Sequence, residues 1–357
     1  MKTDGRTSTS RRDLLKAVAA AGGGAILPAG VLRAQNSRQP ADTNPRRIDV
    51  HHHFATPSLT PGPIQEWSPA QSLEQMDKFG IDTALLSHPG DGGLFEGTEK
   101  ARTLARKVNE FGAKVVSDYP GRFGLLAVIP FRDVDGSVKE IEYALDTLKA
   151  DGFGITSNNG EKWPGDPALL PIFQEFNRRK AAVLIHPFVN KCCRQLVTGV
   201  GDSVVEYDFD TTRAITSLLY NGVLSQCPEI RFIVTHSGAC VPTLAGRIKD
   251  RVPGVTSNNF GPRPANHEGK SETIPNGVYY ELKKLYYECA HASYPMPMAA
   301  LMKLVGPSQL LFGTDYPAEP METTLDNLPS DDLSPEVLRG MARGNAERLF
   351  PRLKSKT

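Results

Sequence analysis

Three consecutive histidines follow a short apolar run at Ile48–Val50, and their spacing could bind a metal ion. Because side chains on a strand alternate between faces, His51 and His53 point the same way and His52 points the opposite way. Two imidazoles on one face at the end of a strand can hold one divalent metal. A polar loop could carry the same residues, since short motifs also match by chance. We expect His52 to pack away from the site or to bond to the backbone.

Three more polar residues follow apolar runs further along the chain, namely His186, His236 and Asp315. Three neutral imidazoles and one carboxylate would leave a divalent ion one or two open positions for water or substrate. We expect zinc as the metal, and manganese accepts the same ligands. If His236 is not a ligand, it stands beside the metal as a proton donor or acceptor near neutral pH.

Strand-like apolar runs alternate with helical segments from residue 47 onward. The predicted strands are Ile48–His51, Thr83–Ser87, Phe123–Val128, Phe153–Thr156, Ala182–His186, Arg231–Thr235, Leu285–Glu288 and Leu310–Gly313. Apolar residues at helical spacing predict helices over residues 68–79, 99–116, 135–148, 167–179, 210–225, 241–250, 296–304 and 334–350. This alternation is typical of one (β/α)8 barrel of the TIM type, whose strands all end at one mouth. We therefore expect the histidines and the aspartate to meet there.

The predicted barrel domain covers residues 47–352, and the sequence shows neither an internal repeat nor a second domain. Two long insertions, near residues 191–207 and 252–277, interrupt the alternation. Either insertion could cover a site or contact a second subunit.

Residues 1–34 have the pattern of a twin-arginine export signal, because Arg11 and Arg12 precede an uncharged run rich in Ala and Gly at residues 17–32. That run is shorter than the roughly 20 residues of a membrane span. Cleavage near Ala34 would leave a polar linker at residues 35–46. We expect an exported, periplasmic protein with no stable membrane partner, and a basic tail or an uncleaved anchor is the alternative.

The overall composition is that of an ordinary globular protein, with 357 residues of which 39% are hydrophobic. Lys+Arg 41 against Asp+Glu 40 gives no sign of nucleic acid or an anionic membrane as a partner. The five cysteines are odd in number and include no C-x-x-C, which implies neither a zinc knuckle nor a disulfide framework. We expect adjacent Cys192 and Cys193 to be small buried side chains or, in an oxidising compartment, one bridge.

Five motifs together resemble the amidohydrolase superfamily, in its branch of metal-dependent decarboxylases. The motifs are Asp49–His53, Val183–Pro187, Thr235–Gly238, Phe312–Pro317 and Gly344–Ala346. The branch includes aminocarboxymuconate-semialdehyde, resorcylate and 6-methylsalicylate decarboxylases. The resemblance implies that His51, His53, His186 and Asp315 bind the metal. It also implies that His236 handles the proton, and we expect Asp315 to take part in that step.

The resemblance further implies a homodimer. Arg247 follows His236 at the family spacing, and in relatives this arginine reaches into the site of the neighbouring subunit. A surface helix residue with a solvated charge is the alternative. The chain has no arginine between Arg47 and Arg102, which argues against a second substrate carboxylate held by the loop after strand one.

Three further residues are candidates for substrate contact. His88 ends strand two and could face the mouth, and His291 lies three residues past strand seven. Phe188, beside His186, could form a wall for an aromatic ring or pack in the core. His267 lies in the second insertion, and the sequence does not place it.

These features favour a metal-dependent, non-oxidative decarboxylase of a small aromatic, salicylate-like monocarboxylate. Protonation of the ring carbon that carries the carboxylate would precede the loss of CO2. The alternative among enzymes is metal-dependent hydrolysis of a lactone, an ester or an amide at the same site. The alternative of another class is an exported binding protein on a catalytically dead barrel.

Overall fold

The computed structural model describes residues 46–56, 64, 66–90, 94, 96, 98–252, 268–328 and 333–354. The expected export signal, its linker up to residue 45, most of the second insertion and His267 lie outside the described residues. Within the described part of the chain, no helix is both long enough and apolar enough to cross a membrane.

Eight parallel strands lie side by side in the order in which they occur along the chain. They are β1 (Arg47–His53), β2 (Ile81–Ser87), β3 (Phe123–Ala127), β4 (Gly152–Thr156), β5 (Ala182–His186), β6 (Arg231–Val234), β7 (Tyr286–Glu288) and β8 (Leu310–Leu311). The segment after β8 returns to β1, where the Val50 amide donates to the Phe312 carbonyl over 3.0 Å and the His53 amide donates to the Tyr316 carbonyl over 2.7 Å. The sheet therefore curves into a barrel, which confirms the predicted (β/α)8 class.

Helices connect the strands, as parallel pairing requires, and further helices follow β8. They are α1 (Pro69–Lys78), α2 (Thr98–Asp118), α3 (Val134–Asp146), α4 (Leu170–Arg178), α5 (Asp202–Tyr220), α6 (Val223–Gln226), α7 (Val241–Asp250), α8 (Val278–Lys284), α9 (Pro295–Leu304), α10 (Met321–Asn327), α11 (Pro335–Arg339) and α12 (Asn345–Leu349). Side chains cap several of them. The Ser68 hydroxyl accepts from the Gln71 amide at the start of α1, and the Asp133 carboxylate accepts from the Gly136 amide at the start of α3.

The predicted helices differ from the observed ones at the start of α5, at Gly222 and at residues 340–344, and α8 and α10 were not predicted. Helix α5 begins at Asp202 rather than at residue 210, so the first insertion is shorter than we expected. The start was missed because the first turns of α5 expose Val204 and Phe209, so their apolar residues do not form a buried helical face. Gly222, with φ of 75°, breaks the predicted 210–225 helix between α5 and α6. The single predicted helix at 334–350 is divided by a π-helical turn at Gly340–Gly344.

The inside of the barrel is filled by aliphatic side chains from most of the strands. The C-terminal segment packs on the same cluster through Leu349, Phe350 and Leu353. The Arg231 guanidinium, at the start of β6, donates to the Leu349 carbonyl over 2.8 Å. The C-terminal segment thus closes the end where the strands begin and leaves the other mouth for chemistry.

Candidate metal centre

Four polar side chains converge where β1 and β5 end and where the chain leaves β8. The Nε2 atom of His53 lies 3.2 Å from Nε2 of His51 and 3.1 Å from Nε2 of His186. The Oδ1 atom of Asp315 lies 2.7 Å from Nε2 of His53 and 3.2 Å from Nε2 of His51. All four side chains are buried. The structure therefore brings together the four residues that the sequence suggested as metal ligands.

The donor atoms of this cluster fit a divalent cation. Asp315 Oδ1 is buried and accepts no hydrogen bond from the described part of the chain, although two imidazole nitrogens lie within 3.2 Å of it. Buried polar atoms are almost always hydrogen-bonded, so an unpartnered carboxylate oxygen among imidazoles needs a physical reason. Three imidazoles and one carboxylate suit zinc, and manganese accepts them as well.

The outer nitrogens of two histidines are held by acceptors, which frees their Nε2 atoms for a metal. His51 Nδ1 lies 3.0 Å from Glu288 Oε1, and His53 Nδ1 lies 3.1 Å from the Ser87 carbonyl. A carbonyl can only accept, so His53 carries its proton on Nδ1. Such partners fix the tautomer and the ring orientation of a metal-binding imidazole.

Asp49 connects β1 to the segment after β8 by hydrogen bonds. Its carboxylate accepts from the Thr314 hydroxyl over 2.6 Å and from the His51 amide over 3.1 Å. His52 points away from the cluster, as we expected, but it bonds to side chains rather than to backbone: Nδ1 lies 3.1 Å from Asp49 Oδ2 and Nε2 lies 2.9 Å from Ser72 Oγ. Because side chains alternate along β1, His51 and His53 enter the cluster, and His52 contacts the side chains of Asp49 and Ser72 behind it.

Burial and neighbouring charge set the protonation of the cluster. Burial by itself would lower the pKa of His51, but the carboxylates of Asp315 and Glu288 raise it well above its ordinary value. Burial, and then the charges of His53 and His51, lower the pKa of His186 well below its ordinary value. Burial would raise the pKa of Asp315, yet His51 and His53 hold it well below its usual range. The ionised carboxylate and the neutral His186 imidazole are the forms that bind a metal.

His236 lies beside the cluster on a strained turn. Residues 236–239 follow β6 with φ between 53° and 79°, a left-handed conformation that costs non-glycine residues of order 1–3 kcal/mol each and recurs at functional sites. The His236 amide donates to Glu288 Oε1 over 2.7 Å. Its Nε2 lies 3.4 Å from Asp315 Oδ2 and is buried, with no hydrogen-bond partner in the described ranges of the chain. The geometry leaves this nitrogen available for a ligand or a proton.

His291 also reaches this centre. Its Nε2 lies 2.9 Å from Asp315 Oδ2, and its side chain is 33% exposed. Its ring centroid lies 5.1 Å from that of His236. His291 therefore stands between the buried cluster and solvent, where a substrate would enter.

His88 is buried at the end of β2 and lines a small cavity together with His186. Its Nδ1 accepts from the Gly90 amide over 3.2 Å. Burial, and then the charge of His53, lower the pKa of His88 to about 3. A neutral imidazole in this cavity is compatible with the substrate contact that we expected.

The other two substrate candidates lie in different settings. Phe188 is half-buried, its amide donates to Ser157 Oγ over 2.9 Å, and the guanidinium carbon of Arg194 lies 5.6 Å from its ring centroid. Arg247 is exposed on α7 and makes no hydrogen bond or ion pair with the described residues. The role of Phe188 as a wall and that of Arg247 in a neighbouring subunit stay predictions.

The adjacent cysteines are not buried, contrary to our expectation. Cys192 is exposed and Cys193 is partly exposed. They form a 3-10 turn with Lys191 that is capped by Asn190, and this surface turn packs neither side chain into the core. Both are free thiols.

Two buried carboxylates near the centre were missed by sequence reasoning. Glu288 ends β7 and contacts both His51 and His236, and its place at a strand end was the signal that could have found it. Asp210, on α5, accepts from Asn158 Nδ2 over 2.6 Å and from Trp163 Nε1 over 3.1 Å. Asp210 thus fastens the loop after β4 to α5, a pairing that no local pattern indicates.

Comparisons with known proteins match nearly the whole barrel. The amidohydrolase family model matches residues 48–352. The chain is 30% identical over 337 residues to decarboxylase yanB of Aspergillus niger. That alignment covers 86% of this chain and 88% of the relative. It is 29% identical over 326 residues to 6-methylsalicylic acid decarboxylase of Penicillium expansum, with 86% and 97% covered.

A solved structure has the same fold. It is 5-carboxyvanillate decarboxylase from Novosphingobium aromaticivorans, complexed with manganese and 4-hydroxy-3-methoxy-5-nitrobenzoic acid. The TM-score is 0.73 at 19% identity, and the match covers 87% of this chain and 97% of that one.

Proposed function

We propose that this chain, which belongs to the amidohydrolase family and to its decarboxylase branch, releases CO2 from a small, salicylate-like aromatic monocarboxylate. The observation that carries the proposal is the pairing of two features at Asp315. One carboxylate oxygen faces three clustered imidazoles, and the other lies 3.4 Å from the unpartnered Nε2 of His236. A decarboxylase of this kind needs a cation and a proton donor side by side, and this arrangement supports both.

The chain supplies the proton and holds its donor in place. A divalent ion bound by His51, His53, His186 and Asp315 would stabilise negative charge on the substrate oxygens. His236 Nε2 delivers a proton to the ring carbon that bears the carboxylate, which forms a C–H bond. The C–C bond to the carboxylate then breaks, its electron pair returns to the ring and restores aromaticity, and CO2 leaves.

The substrate class is supported by the relatives and by the charges of the chain. The name of the Penicillium expansum relative specifies 6-methylsalicylic acid, a monocarboxylate. No arginine lies between Arg47 and Arg102 to bind a second carboxylate. We therefore propose a hydroxybenzoate with one carboxylate, flanked by His291 and His88, with Phe188 as a wall.

For the metal we propose one divalent ion. Zinc is our first expectation from the three imidazoles, and the Novosphingobium neighbour was solved with manganese. Elemental analysis of the purified protein distinguishes the two.

We also propose export and dimerisation. Arg11 and Arg12 support export through a twin-arginine route, and replacement of both by Lys should retain the protein in the cytoplasm in a fractionation experiment.

The proposed dimer is supported by Arg247, which is exposed and has no partner among the described residues, and which could therefore contribute to the site of a second subunit.

The experiment that tests the proposed function compares CO2 release with hydrolysis. Metal-loaded protein is given a panel of salicylates, including 6-methylsalicylate, and a panel of aromatic lactones and esters. We expect CO2 and the corresponding phenol from the salicylates and no hydrolysis. Hydrolysis without CO2 release would favour the hydrolase alternative, and tight binding without turnover would favour a binding protein.

A further inference from the structure

A second set of donor atoms lies on the far side of Asp315 from the four-residue cluster. His291 Nε2 lies 2.9 Å and His236 Nε2 lies 3.4 Å from Asp315 Oδ2. The ligand atoms of His236, His291 and Asp315 all lie within 4.8 Å of one another. The four-residue cluster uses the other oxygen, Oδ1. One carboxylate therefore serves two groups of imidazoles, one on each oxygen.

The two outer imidazoles are fixed in position, and one has an unused nitrogen. Among the residues that the structure describes, His236 Nε2 is buried and has no hydrogen-bond partner, which is rare for a buried polar atom. The backbones of His236 and His291 are both left-handed, with φ of 55° and 56°. Strained positions of this kind persist where the surrounding structure holds them, and they cluster at ligand sites. The partial exposure of His291 gives an ion a route from solvent.

Negative charge surrounds these imidazoles. Besides Asp315, Glu319 places Oε1 3.8 Å from His291 Nε2. Two imidazoles and a carboxylate oxygen, with a second carboxylate nearby, suit a borderline cation such as zinc.

We propose that His236, His291 and Asp315 Oδ2 form a second, weaker site for a divalent cation, and that an ion bound there blocks the reaction. The blocking role rests on the proposed function, because the ion would occupy the nitrogen that donates the proton. The site is weaker for two reasons. It offers three protein ligands where the first offers four, and two cations that share one carboxylate repel each other. Two-metal sites in which the two metal ions lie about 3.5–4 Å apart are nevertheless known.

The first test counts ions on the intact protein. Protein holding one zinc per chain is equilibrated with increasing zinc, and bound zinc and CO2 release are measured on the same samples. We expect a second zinc per chain, with CO2 release falling at least tenfold as it binds. A single zinc per chain throughout the titration would overturn the second site.

A variant and a spectroscopic measurement locate the second ion. His291→Ala should retain the first zinc and bind the second at least tenfold more weakly. If wild type and variant bind the second zinc equally well, the placement is wrong. Independently of any variant, wild type with two manganese ions per chain should give a spin-coupled electron paramagnetic resonance spectrum, because Asp315 bridges them. Two isolated manganese signals would also overturn the placement.

The failure of this inference can be told apart from failure of the proposed function. If a second zinc binds and CO2 release is unchanged, the blocking role is wrong. The assignment of His236 as the proton donor would then be wrong as well. CO2 release by the protein with one zinc would still support the decarboxylase. Absence of CO2 release with one zinc would instead count against the proposed function itself.

Discussion

His186 and His236 are both buried imidazoles at the ends of adjacent strands, yet their contacts differ. His186 Nε2 faces His53 within the four-residue cluster. His236 Nε2 has no hydrogen-bond partner among the described residues and lies beside the outer oxygen of Asp315. The first position suits a metal ligand and the second suits a proton donor, as we propose.

Paired substitutions should separate these two roles. His186→Ala should lose the bound metal and all activity, because one of four ligands is gone. His236→Ala should keep the metal and bind substrate, yet lose roughly two orders of magnitude or more in kcat, as expected for a missing acid–base group. Metal content and single-turnover rates check both. Full metal occupancy in His186→Ala, or near-normal kcat in His236→Ala, would show that the roles are assigned wrongly.

Glu288 contacts both a proposed metal ligand, His51, and the proposed proton donor, His236. Its Oε1 atom contacts His51 Nδ1 at 3.0 Å and accepts from the His236 amide over 2.7 Å, and its Oε2 atom accepts from the Ala290 amide over 2.6 Å. Glu288→Gln keeps the shape but places an NH2 group against a backbone donor. We expect a loss of roughly 10–100-fold in metal affinity, the usual cost of removing a partner of a metal-binding histidine. Competition with a chromophoric chelator measures the affinity, and an unchanged affinity would remove Glu288 from this role.

The sequence predicts some of these residues and not others for a clear reason. His51, His53, His186, His236 and Asp315 could be predicted because each lies near the end of an apolar strand, and the barrel gathers strand ends. The contact between Glu288 and His51 joins residues 237 positions apart. Such a contact depends on how the barrel closes, and the strand-end position of Glu288 does not by itself indicate which side chain it contacts.

At the scale of elements, the close approach of β8 to β7 and β1 decides the position of the site. Gly313 lies just past the end of β8, after Phe312, and a Cβ atom there would overlap Glu288 Oε2 and come within 2.9 Å of His51 Cβ. Only glycine lets these three strand ends meet. The closeness of the strand ends is therefore a condition for the contact between Glu288 and His51.

A pair of alanine substitutions tests this packing. Gly313→Ala should lower the free energy of unfolding by about 1–3 kcal/mol, as overpacking does, and should weaken metal binding. Gly306→Ala is the matched control, since only the flexible Gln309 side chain, at 3.7 Å, lies near its Cβ position. Denaturant titrations of both proteins give the comparison. Equal stability of the two variants would mean that the strand ends are not tightly packed.

The strands were more predictable than the helices. Short apolar runs bounded by polar residues mark strands that are buried on both faces, and all eight occur where they were expected. Helices α8 and α10 were missed because Val278–Lys284 and Met321–Asn327 are only seven residues each, too short to show a helical period. The left-handed turn at residues 236–239 was also beyond prediction, since three of its four residues are not glycine.

At the scale of the whole molecule, Arg247 raises the question of a second subunit. It projects from α7 with no partner among the described residues, and α8 exposes Tyr279 by 40% and Tyr280 by 52%. Aromatic and arginine side chains are enriched at subunit interfaces. A guanidinium can also grip a substrate carboxylate with two parallel hydrogen bonds.

Subunit mixing tests whether Arg247 acts across a dimer. Arg247→Ala and His186→Ala chains should each be nearly inactive, and exchange between them should restore activity to one of the two sites in each mixed dimer. The measurement is CO2 release after exchange, with exchange itself verified by differently tagged chains. No recovery despite verified exchange would place Arg247 in its own site or outside the reaction.

The central claim is that one divalent ion, held at the barrel mouth by His51, His53, His186 and Asp315, is required for CO2 release. The most direct measurement is CO2 release from 6-methylsalicylate, or from the best salicylate of the panel, as metal is removed and returned. Chelated protein should release no CO2, and activity should return in proportion to added zinc or manganese until one ion per chain is bound. CO2 release by chelated, metal-free protein at the rate of the loaded enzyme would contradict the claim.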